Sequence, residues 1–189
     1  MARAAATRTK RRSSGQTALD VLKSDHAEVK KLFKQFEKFK KSEDSEGMQQ
    51  VAQAACKALS IHAQIEEEIF YPALREGADA DDALDEANVE HAHVKELVKQ
   101  LQQAQPGEDL YEARFKVLSE YVQHHAEEEE STIFSKARKS DVDLVALGEQ
   151  LLARKEELAA GQEPADIAAL AAREQTRKRD GQSVRGHRS

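Results

Sequence analysis

Six ionisable side chains occur at helix positions where a soluble protein normally buries apolar residues. They are four histidines and two glutamates: His26, His62, Glu66, His91, His125 and Glu129. Burying unpaired ionisable groups costs several kcal/mol each, so six of them would consume the roughly 5–15 kcal/mol net stability of a domain. The pattern therefore predicts a compensating group in the core. Imidazole nitrogens combined with carboxylate oxygens suit iron, manganese or zinc, and two glutamates can bridge two metals.

The six residues belong to two copies of one pattern. Residues 62–66 carry His and Glu four positions apart, and residues 125–129 repeat this spacing 63 residues later. Side chains four apart lie on one face of a helix, about one turn from each other, so each pair can chelate from a single helix. His26 and His91 would complete the set from two further helices. An aromatic residue follows nine positions after the histidine of each pair: Tyr71 after His62, and Phe134 after His125.

Two alternatives accompany this interpretation. A single histidine in a helix is more often a hydrogen-bonded core residue than a metal ligand, and the whole set could form an internal polar network. The duplication over four helices favours a metal site. Glu130 is an alternative to Glu129 as the ligand from the fourth helix. The two positions differ by about 100° of helix rotation, so only one of them can face the core. The spacing of the repeat favours Glu129.

The elements that position these residues can be predicted from hydrophobic periodicity and from the turn residues between segments. Five helices are expected, at about 17–41, 48–75, 83–103, 109–138 and 141–160. Short connections make consecutive helices antiparallel neighbours. The predicted fold class is therefore all-α: an antiparallel up-down-up-down four-helix bundle with an additional C-terminal helix.

Each bundle helix shows a seam of inward positions that alternate in spacing between three and four. In the second helix the predicted seam continues past Glu66 to Ile69 and Ala73. In the fourth helix it continues past Glu129 to Thr132. The seams are apolar except at the histidines and glutamates.

The composition agrees with a helical, soluble protein. Three prolines, eight glycines, no tryptophan and a charged fraction of 34% match good helix formers. The single cysteine, Cys56, cannot form an internal disulfide, and we interpret it as a small core residue in a reducing compartment. No apolar run approaches the roughly 20 residues that span a bilayer. We therefore expect a cytoplasmic protein with no membrane partner.

Charge divides the chain into three parts. Residues 1–16 carry a net charge of +5 and residues 173–189 carry +4, so the overall net charge of −6 leaves −15 on residues 17–172. We predict a disordered basic arm at 1–16, a folded domain at 17–160, and a short Ala-rich helix followed by a disordered basic tail at 161–189. Such arms can bind nucleic acid, but they are more often simply solvated.

The residues resemble those of a known family over about positions 17–160. The segments that carry the resemblance are Asp25-His26, His62-x3-Glu66-Glu67, Glu90-His91 and His125-x3-Glu129. They are similar, in order and spacing, to the four ligand-bearing segments of the bacterial hemerythrin-like, or HHE cation-binding, family. The resemblance implies an antiparallel four-helix bundle around two iron ions joined by an oxo or hydroxo bridge.

Two departures from oxygen-carrying hemerythrin bear on function. Those proteins have a further histidine one turn after the third-helix ligand, where this chain has Lys95, and an aspartate where this chain has Glu130. One fewer histidine leaves two coordination positions open. The resemblance thus implies a centre that binds or reacts with oxygen, nitric oxide or peroxide. Tyr121, one turn before His125, could serve as a proton donor, although a tyrosine at such a position more often packs at the edge of the seam.

Three functions stay open on these residues. The first is a protein that reversibly binds oxygen or nitric oxide in order to store, sense or carry it. The second is an enzyme that decomposes peroxide or reduces nitric oxide with iron as the redox catalyst. The third is an iron-scavenging stress protein whose basic arms bind nucleic acid.

Overall fold

The computed structural model describes residues 15–161. Its helices are α1 (Ala18–Lys41), α2 (Ser45–Ile65), α3 (Tyr71–Gly77), α4 (Asp81–Gln102), α5 (Tyr111–Glu128), α6 (Phe134–Lys139) and α7 (Leu144–Gly161). Two π-helical turns, Glu66–Phe70 and Glu129–Ile133, join α2 to α3 and α5 to α6 without a break. Within 15–161 the chain thus has five continuous helical runs and no strand. The prediction of an all-α bundle with an additional C-terminal helix is confirmed.

The start of α1 is set by its own sequence. The Thr17 hydroxyl accepts a hydrogen bond from the Asp20 backbone N–H at 3.2 Å, and the Asp20 carboxylate accepts one from the Thr17 backbone N–H at 3.0 Å. This reciprocal capping box satisfies two N–H groups that the first helical turn leaves unpaired. It fixes where the helix begins, and so it sets the direction in which His26 points about two turns later.

The bundle is formed by α1 packed on α2 and α4 packed on α5, with α2 against α4 and α1 against α5 closing the four-helix arrangement. An apolar cluster fills the part of the bundle that contains the C-terminal half of α1 and the start of α5. Phe36 and Phe115 stack there with ring centroids 3.8 Å apart. Buried Cys56 lies in the same cluster, as predicted for a small core residue. The cluster provides a rigid base next to the buried histidines.

The described residues up to 155 belong to one compact unit, and those from 156 onward belong to a second. Most of α7 belongs to the first unit, where Leu147, Gly148 and Leu151 are buried. A side-chain carbon at Gly148 would lie 2.4 Å from the carbonyl oxygen of Gln16, so only glycine allows this close approach. The described part of the second unit, 156–161, is the end of the α7 helix.

The predicted basic arm and the predicted Ala-rich helix and tail lie outside the described residues, except for positions 15, 16 and 161. Their proposed disorder therefore stays a prediction. Within the described range, no helix is long and apolar enough to cross a membrane.

Candidate metal centre

The structure brings all six predicted residues together inside the bundle. Each is at most 5% exposed, and the histidines meet in two pairs through their Nε2 atoms. The Nε2 atoms of His26 and His62 lie 3.1 Å apart, and those of His91 and His125 lie 3.2 Å apart. Each pair joins one helix that carries a lone histidine to one helix that carries histidine and glutamate. Whether the six residues bind metal stays a prediction at this point.

The two glutamates lie among these nitrogens. Oε2 of Glu66 is 3.3 Å from Nε2 of His62 and 3.4 Å from Nε2 of His91, so this carboxylate links the two histidine pairs. Oε2 of Glu129 is 3.4 Å from Nε2 of His26. The result is two groups of potential ligands that share Glu66. The first group is His26, His62, Glu66 and Glu129, and the second is Glu66, His91 and His125.

A carboxylate faces the other nitrogen, Nδ1, of every one of these histidines. The pairs are Glu130 with His26 at 3.1 Å, Asp25 with His62 at 3.6 Å, Glu67 with His91 at 3.0 Å, and Glu90 with His125 at 2.8 Å. Three of these pairs are hydrogen bonds, whereas Asp25 and His62 are close enough for an ion pair only. A carboxylate on Nδ1 holds the proton there and leaves the Nε2 lone pair free, which is the usual support of a metal-binding histidine. All four Nε2 atoms are therefore oriented toward the common centre.

These supporting carboxylates were not assigned a role from the sequence, although each stands directly beside a predicted ligand. Asp25 and Glu90 precede the lone histidines, and Glu67 and Glu130 follow the glutamates. The signal that could have found them is the repeat itself, since Asp25 and Glu90 are 65 residues apart, as are His26 and His91. Their partners lie on other helices, so the pairing itself needed the tertiary structure.

Lysines hold three of the supporting carboxylates in turn: Lys155 at Asp25, Lys95 at Glu67 and Lys23 at Glu130. Nε2 of His124 lies 3.9 Å from Oε1 of the fourth, Glu90. Lys95 is the residue that stands where oxygen-carrying hemerythrin has an additional histidine. Its Nζ atom donates to Glu67 Oε1 at 2.7 Å, and its side chain is half exposed. Lys95 thus acts on His91 through Glu67.

Glu129 and Glu130 have different surroundings in the fold. The side chain of Glu129 is 1% exposed and its Oε2 lies near Nε2 of His26, whereas that of Glu130 is 31% exposed and contacts Nδ1 of His26. The placement agrees with the predicted register for Glu129, although its role as a ligand stays a prediction. Glu130 lies beside the opposite nitrogen of the same ring.

The predicted seams are wrong beyond the two glutamates. Thr132 is exposed and Ile69 and Ala73 are only partly buried, whereas the residues that follow them in sequence after one or two positions are buried. The cause is the π-helical turn that starts at each glutamate, because a π turn inserts one extra residue and rotates the following side chains. Pro72 does not explain the turns, since the second π turn has Ser135 at the equivalent position.

The two π turns place an aromatic ring over each lone histidine. Tyr71 stacks on His91 with centroids 5.6 Å apart, and Phe134 stacks on His26 at 6.3 Å. The Tyr71 hydroxyl is buried and has no hydrogen-bond partner among the described residues. Tyr121, which the sequence offered as one candidate proton donor, is instead 44% exposed and stacks on His93 at the surface.

The electrostatics of the two glutamates are opposed. Burial would raise the pKa of Glu66, but the charges of His62 and His91 outweigh burial and lower that pKa. Burial raises the pKa of Glu129 well above its ordinary value, and the nearby charge of Glu66 adds to the effect. Burial disfavours the charged form of His91, yet its close contacts with the carboxylates of Glu66 and Glu67 raise its pKa to about 9. Two adjacent buried carboxylates can both be ionised only where a cation lies beside them.

Comparisons with known proteins agree with this arrangement. The family profile described as Hemerythrin HHE cation binding domain matches residues 17–137. A crystal structure of a hemerythrin HHE cation binding domain-containing protein from Mycobacterium kansasii superimposes with a TM-score of 0.65 and 28% identity, covering 77% of this chain and 89% of that one. A DNA nickase from Nostoc sp. (strain PCC 7120 / SAG 25.82 / UTEX 2576) is 31% identical over 119 residues. That match covers 63% of this chain but only 33% of the nickase.

Proposed function

The chain belongs to the hemerythrin HHE cation-binding domain family, and we propose on that basis that it holds two iron ions between its bundle helices and binds a small ligand there. The ligands would be His26, His62, Glu66, His91, His125 and Glu129. The small molecule would be oxygen, nitric oxide or peroxide. Because the family is defined by cation binding, iron and the number of ions are the specific parts of the proposal.

One observation carries the proposal. Both carboxylate oxygens of Glu66 and both of Glu129 are buried and have no hydrogen-bond partner. An internal polar network, the main alternative, would satisfy its buried groups, because a buried polar atom without a partner costs about 1–3 kcal/mol. Four such oxygens among four histidine Nε2 atoms match the needs of a pair of cations instead.

The arrangement of the donors supports two ions rather than one. The four Nε2 atoms form two pairs, and each pair has a carboxylate oxygen within 3.4 Å of one of its nitrogens. Glu66 is common to both groups and would bridge. Mixed nitrogen and oxygen donors without a thiolate suit iron, and iron supplies redox chemistry toward oxygen, peroxide or nitric oxide when it is bound.

The protein residues contribute orientation and an apolar cover. The carboxylates that accept from Nδ1 orient the rings of His26, His91 and His125. The aromatic rings of Phe70, Tyr71 and Phe134 are almost fully buried, and those of Tyr71 and Phe134 cover the lone histidines. Among the described residues, Tyr71 is the tyrosine whose ring stacks on a candidate ligand, His91. We assign the Tyr71 hydroxyl the role of hydrogen-bond donor to a small ligand on the His91 side. Phe134 has no such group, so the two halves of the centre differ.

Enzymatic turnover of peroxide or nitric oxide is the alternative, together with an iron-scavenging role in which the basic arms bind nucleic acid. The relative whose name is DNA nickase favours no particular activity for this chain, since the match covers a third of that protein. A cytoplasmic location remains part of the proposal.

The test is metal analysis followed by spectroscopy. Chain purified after iron-replete expression should contain about two iron ions, and anaerobic addition of nitric oxide or oxygen should change its absorption. An absorption band that forms with oxygen and disappears when oxygen is removed supports reversible binding. Repeated consumption of peroxide supports catalysis. An iron content of zero or one per chain in the correctly folded protein would overturn the proposed centre.

A further inference from the structure

A cavity of about 90 Å³ lies at the surface between α4 and the segment that joins α5 to α6. Its wall is strongly acidic: it includes Glu86, Glu90 and Glu128, and it reaches buried Glu129. The space is large enough for several water molecules or a partly hydrated cation. Glu129 lines the inner end of the cavity, and both of its side-chain oxygens are buried without a hydrogen-bond partner, so the cavity ends at a residue of the candidate metal centre.

Two residues of the cavity wall, Glu90 and Glu128, could hold a metal together with the neighbouring His124. Nε2 of His124 lies 3.4 Å from Oε1 of Glu128 and 3.9 Å from Oε1 of Glu90. The three side chains offer ligand atoms that all lie within 4.8 Å of one another. One imidazole and two carboxylates suit a divalent ion such as Fe²⁺ or Mn²⁺. His124 and Glu128 are exposed, so an ion bound here would exchange with solvent.

The internal repeat shows that this opening is specific to one half of the molecule. At the equivalent positions of the other half, the acidic and small residues are replaced by larger apolar ones. The replacements are Val21 for Glu86, Leu22 for Ala87, Ile61 for His124 and Ile65 for Glu128. All four apolar residues are at most 5% exposed. The first half is thus closed by apolar packing where the second half presents an acidic cavity.

We propose that Glu90, His124 and Glu128 form an exchangeable divalent-cation site at the mouth of this cavity, and that metal reaches the buried centre through it. The second part rests on the proposed function, because it requires a metal at Glu129. Glu90 connects the two sites: its Oε1 faces His124, while its Oε2 accepts from Nδ1 of His125 at 2.8 Å. An ion at the outer site is therefore one side chain away from the inner histidines.

The experiment uses two double variants with the same change of composition and charge. His124→Ala/Glu128→Ala removes two exposed ligands of the outer site and leaves Glu90, which also supports His125. His93→Ala/Glu127→Ala removes one exposed histidine, from α4, and one exposed glutamate, from α5, that do not line the cavity. All four side chains are exposed, so both variants should fold.

The first measurement is Mn²⁺ binding to iron-loaded protein. Binding is detected as the loss of the free Mn²⁺ signal in electron paramagnetic resonance. Wild type and the control variant should bind one Mn²⁺ per chain, and His124→Ala/Glu128→Ala should bind it at least tenfold more weakly. The second measurement is the rate of anaerobic Fe²⁺ uptake by metal-free protein. It should fall about tenfold or more in the same variant, because acidic clefts raise association rates of cations by about 10- to 1,000-fold. The final iron content should be unchanged.

Equal Mn²⁺ affinity in the two double variants would overturn the outer site, and equal Fe²⁺ uptake rates would overturn its role in loading. The inner centre is judged separately. Glu129→Gln should lose iron but still bind Mn²⁺ at the outer site. Absence of iron from the wild-type chain would overturn the proposed function, whereas a difference in Mn²⁺ affinity between the double variants would still support the outer site.

Discussion

Replacement of Glu129 by glutamine should change the stability of the metal-free and iron-loaded protein in opposite directions. In the metal-free protein the Glu129 carboxyl is buried beside Glu66, and burial raises its pKa well above the ordinary value of 4.5. Glutamine keeps the size and the hydrogen-bonding capacity without the ionisable proton. The variant should therefore stabilise the metal-free fold near neutral pH, while it removes an anionic ligand from the iron centre.

The size and the pH dependence follow from linkage. A carboxyl with a raised pKa in the folded state contributes stability that is fully present below its unfolded-state pKa and is lost as the pH rises. Each pH unit above 4.5 in which the folded carboxyl keeps its proton costs the folded state about 1.4 kcal/mol relative to the unfolded state. Each such unit corresponds to a Tm increase of roughly 3 to 6 °C in the glutamine variant. Near pH 4.5 the difference should disappear.

Thermal unfolding followed by circular dichroism at several pH values, with and without chelator, measures both effects. The matched control is Glu130→Gln, which changes an adjacent but partly exposed carboxylate. The control should leave the metal-free Tm nearly unchanged and weaken iron binding about 10- to 100-fold through loss of support for His26. A lower metal-free Tm for Glu129→Gln at neutral pH, or an unchanged iron content, would refute the reasoning. Loss of iron only in Glu130→Gln would mean that the ligand register is wrong by one residue.

The remaining predictions concern separate parts of the molecule. Glu67→Gln should weaken iron binding about 10- to 100-fold, because Glu67 supports Nδ1 of His91, and metal titration measures this; unchanged affinity would count against the supporting role. Tyr71→Phe should keep two iron ions but bind azide or nitric oxide more weakly, by about 0.5–1.5 kcal/mol for one lost hydrogen bond, and equal affinity would exclude the hydroxyl as a donor. Burial raises the pKa of the Cys56 thiol to about 12, so its reaction with a thiol reagent in the folded protein should not accelerate between pH 7 and 9, whereas urea should expose it. Deletion of residues 1–16 should leave the iron content unchanged, since no candidate ligand lies there, and a loss of iron would show that the arm contributes to the site.

The sequence was sufficient to identify the fold class and the residues that meet in the core. Periodicity of three and four positions specifies helices with one buried face, and short connections leave few arrangements other than an antiparallel bundle. Polar residues in those faces must point at one another, because an apolar core offers them no other partner. His62 and His125 could be recognised for this reason. The start of the first helix could also be predicted, because the capping box at Thr17 depends only on residues three positions apart.

Tertiary structure decided the details that depend on contacts between distant segments. Glu130 and His26 are separated by 104 residues, and only the closed bundle brings that carboxylate to the ring nitrogen. The π turns after the two glutamates also depend on packing, because the local sequence is compatible with a regular α-helix. These turns bury Tyr71 over His91. Tyr121, which the sequence offered as one candidate proton donor, lies at the surface. The register of a regular α-helix is fixed by local hydrogen bonds. A π turn, with its one extra residue, is stabilised by the tertiary packing of the side chains that follow it.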